Sequence, residues 1–361
     1  MNKSLVILAL AMVLVMPVVM AVDVGTGVGV NIQTQKFPPK VWMCDSRSVA
    51  DDPTENGNNG LSLTERKHNY AFEGESLHWT VLVMDKNKIE EVIDVVGTVG
   101  QSQGTGNEVE VECKRIVGNP FNEGIPASCN ARIYEEYLYT FNPDMMAFYD
   151  CTLTVETANS MHGEYFITIE AKDATGLSDI MDENEYWYLN PTIALSVDGN
   201  LDFEDVMPGT DAYSNTILLG NDAEAGSGVI LDMFISGTDF YDPSSSGARC
   251  SDNTNKLALT TFRYFVTNGA FVSNAGMAGT DSEGYTSIPY STEISGAKRI
   301  MRWNDNIRGS APSSSVVEQD WNNGNALSPG SEMALTFKLS MPEPCVGDFS
   351  EGQVYFWGEA I

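Results

Sequence analysis

Apolar and polar residues alternate with a period of two wherever this sequence is regular, which is the pattern of half-buried β-strands. The first such segment carries Val24, Val28, Val30 and Ile32 on one side and glycines on the other. The same alternation predicts further strands at 77–84, 108–113, 151–156, 165–171, 185–189, 193–197, 215–219, 229–235, 257–266, 333–340 and 354–361. Only 133–148, with aromatic and Met residues at mixed spacing, is predicted to be helical. The sequence therefore predicts an all-β fold.

Runs of predicted strands on either side of Asn190-Pro191 indicate two tandem β-sandwich domains. A chain of 361 residues is long enough for two such domains, each with its own core. We predict an N-terminal extended strand at 22–37, an immunoglobulin-like β-sandwich at 38–190 and a jelly-roll-like β-sandwich at 191–361.

Residues 1–21 have the order of a secretory signal peptide. Lys3 precedes an apolar run that ends at Ala21, and Val19 and Ala21 occupy the small-residue positions for cleavage before Val22. The alternative is a retained signal anchor, but the run is short for a membrane span and Pro17 interrupts its helix. No later segment is apolar enough to span a bilayer. We therefore expect a protein that is secreted to the cell surface.

The charge of the chain limits its partners. It contains 50 Asp and Glu residues against 20 Lys and Arg, a formal net charge of −30. Such a surface repels phosphate backbones and anionic lipid head groups, which excludes nucleic acid as a partner. A charge of this size is typical of a solvated exterior, or of one that recruits divalent cations between copies.

The six cysteines are expected to form disulfides, because the chain is exported and no C-x-x-C pair indicates a metal. They divide at the predicted boundary into Cys44, Cys113, Cys129 and Cys151 before it, and Cys250 and Cys345 after it. Pairing within each half joins Cys250 to Cys345. It leaves the first four open, and we favour Cys113 with Cys129, a short loop, and Cys44 with Cys151.

Four segments together resemble a known kind of protein: 41–45 (VWMCD), 68–75 (HNYAFEGE), 81–87 (VLVMDKN) and 226–241 (GSGVILDMFISGTDFY). Over nearly its whole length the chain resembles a family of exported proteins encoded by small-genome archaea of the nanoarchaeal and woesearchaeal kind. Members of that family look like abundant cell-surface components. The resemblance implies a location at the cell surface and no particular activity.

A second resemblance concerns the C-terminal half. Leu201-Asp-Phe and Pro208-Gly209, followed by 329–337 (PGSEMALTF) and 352–355 (GQVY), are similar to jelly-roll subunits of surface fibres such as the camelysin-like biofilm proteins. This likeness implies a jelly roll that assembles into a fibre.

Sequence motifs give little reason to expect catalysis. The H-E-x-x-H zinc motif, the Walker loop and the dinucleotide fingerprint do not occur. The histidines are His68, His78 and His162, all in strand or turn contexts typical of structural or surface residues. We expect that the protein is not an enzyme.

Calcium is the one cofactor that the sequence suggests. Acidic residues cluster on both sides of the predicted boundary, where a cation could join two modules through oxygen ligands. The residues we favour are Asp179, Asp182, Asp198 and Asp202. The alternative is a solvated acidic linker, since an acidic chain places carboxylates at many turns.

Two groups of aromatic residues admit two interpretations. Each group, Tyr186-Trp187-Tyr188 and Tyr355-Phe356-Trp357, would expose one face of a strand, where it could bind glycans or a neighbouring subunit. In a two-sheet sandwich such residues more often belong to the core.

The glycine-rich segment that follows the predicted cleavage site also admits two interpretations. Val24, Val28, Val30 and Ile32 could add as a strand to the sheet of a neighbouring subunit. The alternative, which we favour on sequence alone, is that they form the first strand of their own domain.

Together these features predict a secreted structural subunit of the cell surface, in a layer, sheath or filament. Its expected partner is itself, and it would act by self-assembly. The alternative is an adhesion or binding module that recognises glycans or a partner cell surface.

Overall fold

The computed structural model describes residues 27–50, 68–104, 107, 109–122, 124–126, 129, 140–181, 184–244, 249–250, 255–269, 271–272, 279–301 and 324–361. The chain divides into two units, 1–36 and 37–361. Residues 27–39 form no helix or strand, so the strand predicted at 22–37 is wrong over its described part. Alternation alone does not make a strand, because an extended segment also needs a neighbouring strand to bond with.

In the first half of the larger unit, the described residues form nine strands. They are β1 (Lys40–Ala50), β2 (Tyr70–Ala71), β3 (Ser76–Met84), β4 (Val92–Gly100), β5 (Val109–Arg115), β6 (Met146–Thr154), β7 (Gly163–Asp173), β8 (Ser178–Ile180) and β9 (Glu185–Leu189), with a 3-10 helix at Ile89–Glu91. Their order is β1-β3-β6-β5-β4-β7-β9-β2, with β8 paired to β7. All pairs are antiparallel except β2 with β9.

Strand β5 is where this sheet passes from one layer of the sandwich to the other. Its first residues pair with β4, and its later residues pair with β6. The two layers enclose one core, in which Trp79 from β3 meets Trp187 from β9 edge to face at 6.0 Å. Both indole rings are almost completely buried, so this contact is central to the packing of the first half.

The described residues of the second half form thirteen strands. They are β10 (Leu195–Asp198), β11 (Asp211–Tyr213), β12 (Ile217–Asn221), β13 (Leu231–Gly237), β14 (Phe240–Tyr241), β15 (Lys256–Leu257), β16 (Phe262–Asn268), β17 (Phe271–Val272), β18 (Thr286–Ser287), β19 (Lys298–Arg299), β20 (Ala326–Leu327), β21 (Glu332–Ser340) and β22 (Val354–Ala360), with 3-10 helices at Leu259–Thr261 and Ile294–Gly296.

Two sheets of the second half share one core. One has the order β10-β12-β21-β16-β17, with β11 beside β21 and β18 beside β16. The other has β13 at its centre, with β19 and β20 on one side of it and β22 on the other. Leu219 and Phe337 from the first sheet and Met233 from the second are completely buried in the common core. The all-β, β-sandwich prediction is therefore confirmed.

The helix predicted at 133–148 is wrong where it can be compared with the structure. Residues 146–148 belong to β6, and 130–139 lie outside the described residues. Strand β6 has a core on each side of its sheet, because a small second core holds Met146 and Phe148 while the main core holds Ala147 and Tyr149. A strand that is buried on both faces loses the period-two pattern by which strands are predicted.

The two halves are joined by side chains that cross from one to the other. Tyr70, from β2, is buried in the core of the second half, and its hydroxyl donates to the carbonyl oxygen of Ile361 at 2.5 Å. His162 Nε2 lies 2.9 Å from a carboxylate oxygen of Glu224. In the described chain no strand pairing crosses residue 190, but these contacts place both halves in one unit. The predicted domain boundary at Asn190-Pro191 stays a prediction.

The disulfides confirm one part of the cysteine prediction and correct another. Cys250 pairs with Cys345, and the first four cysteines pair among themselves, as predicted. The favoured pairs Cys113–Cys129 and Cys44–Cys151 are wrong, because the bonds are Cys113–Cys151 and Cys44–Cys129. Cys113 and Cys151 lie directly opposite each other on β5 and β6, a register that cysteine spacing does not reveal.

A buried carboxylate in the first half allows a test of this packing. Glu185 is 4% exposed, and it accepts hydrogen bonds from Arg47 and from Trp187 Nε1. We expect Arg47→Met to lower the free energy of unfolding by about 3 kcal/mol, because the buried Glu185 carboxylate then loses its charged partner. Urea unfolding measures the loss.

Lys40→Met is the matched control. Lys40 pairs with Asp179 at 3.2 Å, and both side chains are about one-third exposed. Its loss should cost no more than about 1 kcal/mol. Equal losses in the two variants would contradict a structural role for the Glu185 network.

Candidate functional site

A cavity of about 950 Å³ opens between the two sheets of the second half. Apolar side chains and polar atoms both contribute to its lining, which comes from both sheets and the loops beside them. The apolar lining residues are Val197, Leu201, Phe203, Val206, Ile217, Phe240, Leu257, Phe262, Phe337, Leu339, Met341, Phe349, Val354 and Phe356. A space of this size and lining can hold apolar side chains from another segment of protein.

The cavity lies beside two edge strands. Strand β22 pairs with β13 alone among the described strands, and β10 pairs with β12 alone. Val354 and Phe356 of β22 line the cavity on one side, and Val197 of β10 lines it on the other. An edge strand presents backbone N–H and C=O groups that can pair with a further strand. The second sandwich is thus open between the edges of its two sheets.

The segment between β10 and β11 lies in this opening. Its residues Leu201, Phe203 and Val206 are partly buried against the core of the second half. The Phe203 ring meets that of Phe262 edge to face at 5.7 Å. We call residues 199–206 the cavity segment.

The N-terminal segment differs from the cavity segment, because its apolar side chains are exposed and not partly buried. Val28, Val30 and Ile32 are 87%, 76% and 80% exposed, and Val24 lies outside the described residues. No charged residue occurs between Val24 and Gln35, although the whole chain has a net charge of −30. This segment is therefore both apolar on one side and uncharged.

The three described residues among the four predicted to bind calcium are not gathered into one site. Asp179 is in β8 and pairs with Lys40, Asp198 ends β10, and Asp202 is exposed at the cavity. Asp182 lies outside the described residues. Among the residues that the structure describes, no group of three or more His, Cys, Asp or Glu side chains is placed to hold a metal ion. The calcium site stays a prediction.

The three histidines lie apart from the cavity. His78 Nδ1 is 3.5 Å from Asp150 on the neighbouring strand, and His162 faces Glu224 at the junction of the two halves. His68 lies beside Gly228, where an added Cβ would make an ordinary van der Waals contact with the Cβ of His68. Glycine suits position 228 because the φ of this residue is +72°.

The aromatic groups divide between core and surface. Trp187 is 2% exposed in the first core, and Phe356 packs against the second core. Tyr186 is 48% exposed, and its ring lies 6.2 Å from that of Phe166 on the adjacent strand. In the described part of the chain no helix is long and apolar enough to cross a membrane.

A charged cluster on the second half was not predicted. Lys338 Nζ lies within 3.2 Å of a carboxylate oxygen of each of Asp211, Asp281 and Glu283. The hydrogen bond to Glu283 is the main cause that raises the pKa of Lys338, and the same bond lowers the pKa of Glu283. The sequence did carry a signal for this cluster, because Lys338 is the one charged residue in the otherwise largely apolar run 333–339. A lysine in such a run needs a carboxylate partner nearby.

This cluster predicts how stability depends on pH. A carboxyl group whose pKa is lowered by folding stabilises the fold above its unfolded pKa, and this contribution is lost as pH falls through the folded pKa. Lys338→Met should therefore lower the melting temperature at pH 7 and make its decrease from pH 5 to pH 2 shallower. Calorimetry at several pH values measures both effects.

Lys88→Met serves as the control, since Lys88 is 59% exposed and pairs with Glu90 at 3.5 Å. It should leave the acid dependence unchanged. An acid dependence that is the same in Lys338→Met and in the unmodified protein would contradict the pKa assignment.

No protein-family model matches the chain, and no curated protein matches its sequence. Among solved structures, the C-terminal domain of the Streptococcus agalactiae AgI/II polypeptide BspA has a TM-score of 0.30 and 10% identity, covering 90% of this chain and 97% of that chain. The C-terminal domain of the Streptococcus pyogenes antigen I/II-family protein AspA has a TM-score of 0.27 and 10% identity, covering 91% and 97%.

The sialic acid binding region of the Streptococcus sanguinis SK1 adhesin, bound to 3'sLn, has a TM-score of 0.23 and 11% identity, covering 90% of this chain and 78% of that chain. TM-scores this low do not support an inference about fold or function from any of the three structures. The resemblances to archaeal surface proteins and to camelysin-like fibres stay predictions. The inference about function rests on the residues of this chain.

Proposed function

We propose that this protein is exported to the cell surface and assembles there with copies of itself. The N-terminal segment of one copy would add as a strand to the edge of β22 in the next copy, on the side where β22 pairs with no described strand. The observation that carries this proposal is the cavity, lined in part by apolar side chains, that opens beside this strand in the second sandwich. An incoming strand would both bond with that edge and fill that space.

The two surfaces match in length and pattern. Strand β22 has seven residues, from Val354 to Ala360, and the alternating part of the N-terminal segment runs from Val24 to Ile32. Val28, Val30 and Ile32 would enter the cavity together, because every second side chain of a strand points to the same face. Gly29 and Asn31 between them would face outward.

Charge also favours this segment as the connector. Copies with a net charge of −30 repel one another, whereas the segment from Val24 to Gln35 carries no charge. It can approach a second copy without adding to that repulsion. Because the donating and accepting surfaces differ, the contact runs head to tail and continues from copy to copy as a filament.

Val30→Asp tests the proposal. Burial of one valine side chain contributes about 1.5–3 kcal/mol, and the variant would instead have to bury a carboxylate. We expect it to remain a folded monomer that no longer forms polymers. Negative-stain microscopy and sedimentation of the secreted protein measure assembly, and thermal melting measures folding.

Val117→Asp is the matched control, because Val117 is 99% exposed and lies in the loop after β5. It should assemble as the unmodified protein does. Polymers of normal length from Val30→Asp, or an equal loss of polymers in Val117→Asp, would contradict strand addition by the N-terminal segment.

A second candidate function is recognition of glycans. The observation that favours it is the exposed ring of Tyr186 beside Phe166 on the outer surface of β7 and β9. Aromatic rings that remain exposed on a sheet can stack against the apolar face of a sugar. This surface lies on the first half, apart from the cavity.

Tyr186→Ser tests glycan recognition. If Tyr186 carries binding, its loss should weaken binding about tenfold, which corresponds to ~1.4 kcal/mol. Binding of the secreted protein to immobilised glycans, titrated by concentration, gives the change. Tyr290→Ser is the control because Tyr290 is 66% exposed elsewhere, and an equal effect of both substitutions would contradict a site at Tyr186.

A further inference from the structure

Part of the cavity segment has the side-chain pattern of a strand. Leu201 and Phe203 are partly buried against the core, while Asp202 and Glu204 are exposed. Asp205, whose φ is +51°, shifts this pattern by one residue, and Val206 after it is again partly buried against the core. All three apolar residues also line the cavity. The segment therefore places apolar side chains where an added strand would place its own.

The same segment lacks the backbone bonding of a strand. Within the described chain, residues 200–206 make no backbone hydrogen bond, and they belong to no sheet. The next backbone N–H that donates a bond to another backbone group is that of Gly209, and its acceptor is the carbonyl oxygen of Met341. Among the described contacts, this segment is therefore held to the core by the packing of three side chains. An attachment of this kind is weaker than a strand that also has a hydrogen-bonded neighbour.

We infer that the cavity segment is a placeholder, which the N-terminal segment of a second copy displaces when it adds to β22. The inference rests on the assembly proposed above. The placeholder covers part of the apolar core in the separate protein. The incoming strand covers the same surface and gains a row of backbone hydrogen bonds with β22, which the placeholder does not make.

Charge favours the exchange in the same direction. The placeholder carries Asp202, Glu204 and Asp205, and Asp348 also lies at the cavity. The incoming segment carries no charge from Val24 to Gln35, and Lys36 follows it. The exchange moves three carboxylates away from Asp348 and brings in an uncharged strand that is followed by a lysine. It therefore reduces the repulsion between charges at the cavity.

The experiment uses the full chain with Val30→Asp, which disables donation but leaves the cavity intact. A dye-labelled peptide with the sequence of residues 22–35 is the probe, and fluorescence anisotropy gives its association rate and affinity. Phe203→Ala in this background should bind the peptide at least ~10-fold faster, because a weakened placeholder leaves the cavity more readily. Phe166→Ala, an aromatic truncation in the first half, should bind it at the parent rate.

Amide hydrogen exchange supplies the second measurement. Peptide binding should protect amides of 354–360, because the edge of β22 then gains a hydrogen-bonded partner strand. If Phe203→Ala fails to fold, Val206→Ala makes a smaller change that should act in the same direction.

The possible failures are distinguishable. Protection of β22 by the peptide with an unchanged rate in Phe203→Ala and Val206→Ala would overturn the placeholder and leave strand addition standing. Polymers of the unmodified protein without any protection of β22 would overturn both the placeholder and the position of the acceptor. A protein that forms no polymers, and whose β22 gains no protection from the peptide, would overturn the proposed assembly itself.

Discussion

The burial of Tyr70 is the constraint on which the arrangement of the larger unit depends. This residue starts the short strand β2 in the first half, yet its ring lies in the core of the second half. Its hydroxyl donates to the carbonyl of Ile361, and the backbone N–H of Ile361 donates to Ile230. One side chain therefore ties the first sandwich to the residue that follows β22, and so helps to fix the strand whose edge borders the cavity.

How much of this could be predicted from the sequence depended on how many faces of a strand are buried. Strand β21 and residues 76–81 of β3 alternate, and both strands were predicted. Strand β1 was missed because Val41, Trp42, Met43 and Cys44 are all buried, so its sequence shows no alternation. Strand β6 was missed over 146–148 for the same reason. The prediction for the N-terminal segment failed in the opposite way. Its pattern is regular, but residues 27–39 pair with no strand in the described part of the chain.

Only one part of the candidate site could be predicted from the sequence. This part is the N-terminal segment, whose alternating valines are recognised by their spacing alone. The acceptor proposed for them could not, because the edge position of β22 among the described strands and the cavity beside it result from the order of strands in two sheets. The disulfide pairs were hidden for a related reason. Cys113 and Cys151 meet through the register of β5 and β6, although their sequence separation is 38 residues.

The disulfides have a mechanical consequence if the protein connects its neighbours by the proposed strand addition. A pull between the N-terminal segment and β22 would act along the polypeptide. Cys44–Cys129 and Cys250–Cys345 close loops with sequence separations of 85 and 95 residues. At about 3.3–3.6 Å per residue, each loop removes roughly 300 Å of chain that could otherwise be drawn out. The chain between Cys151 and Cys250 lies outside these loops, so the disulfides would shorten the extension of a subunit under tension without abolishing it.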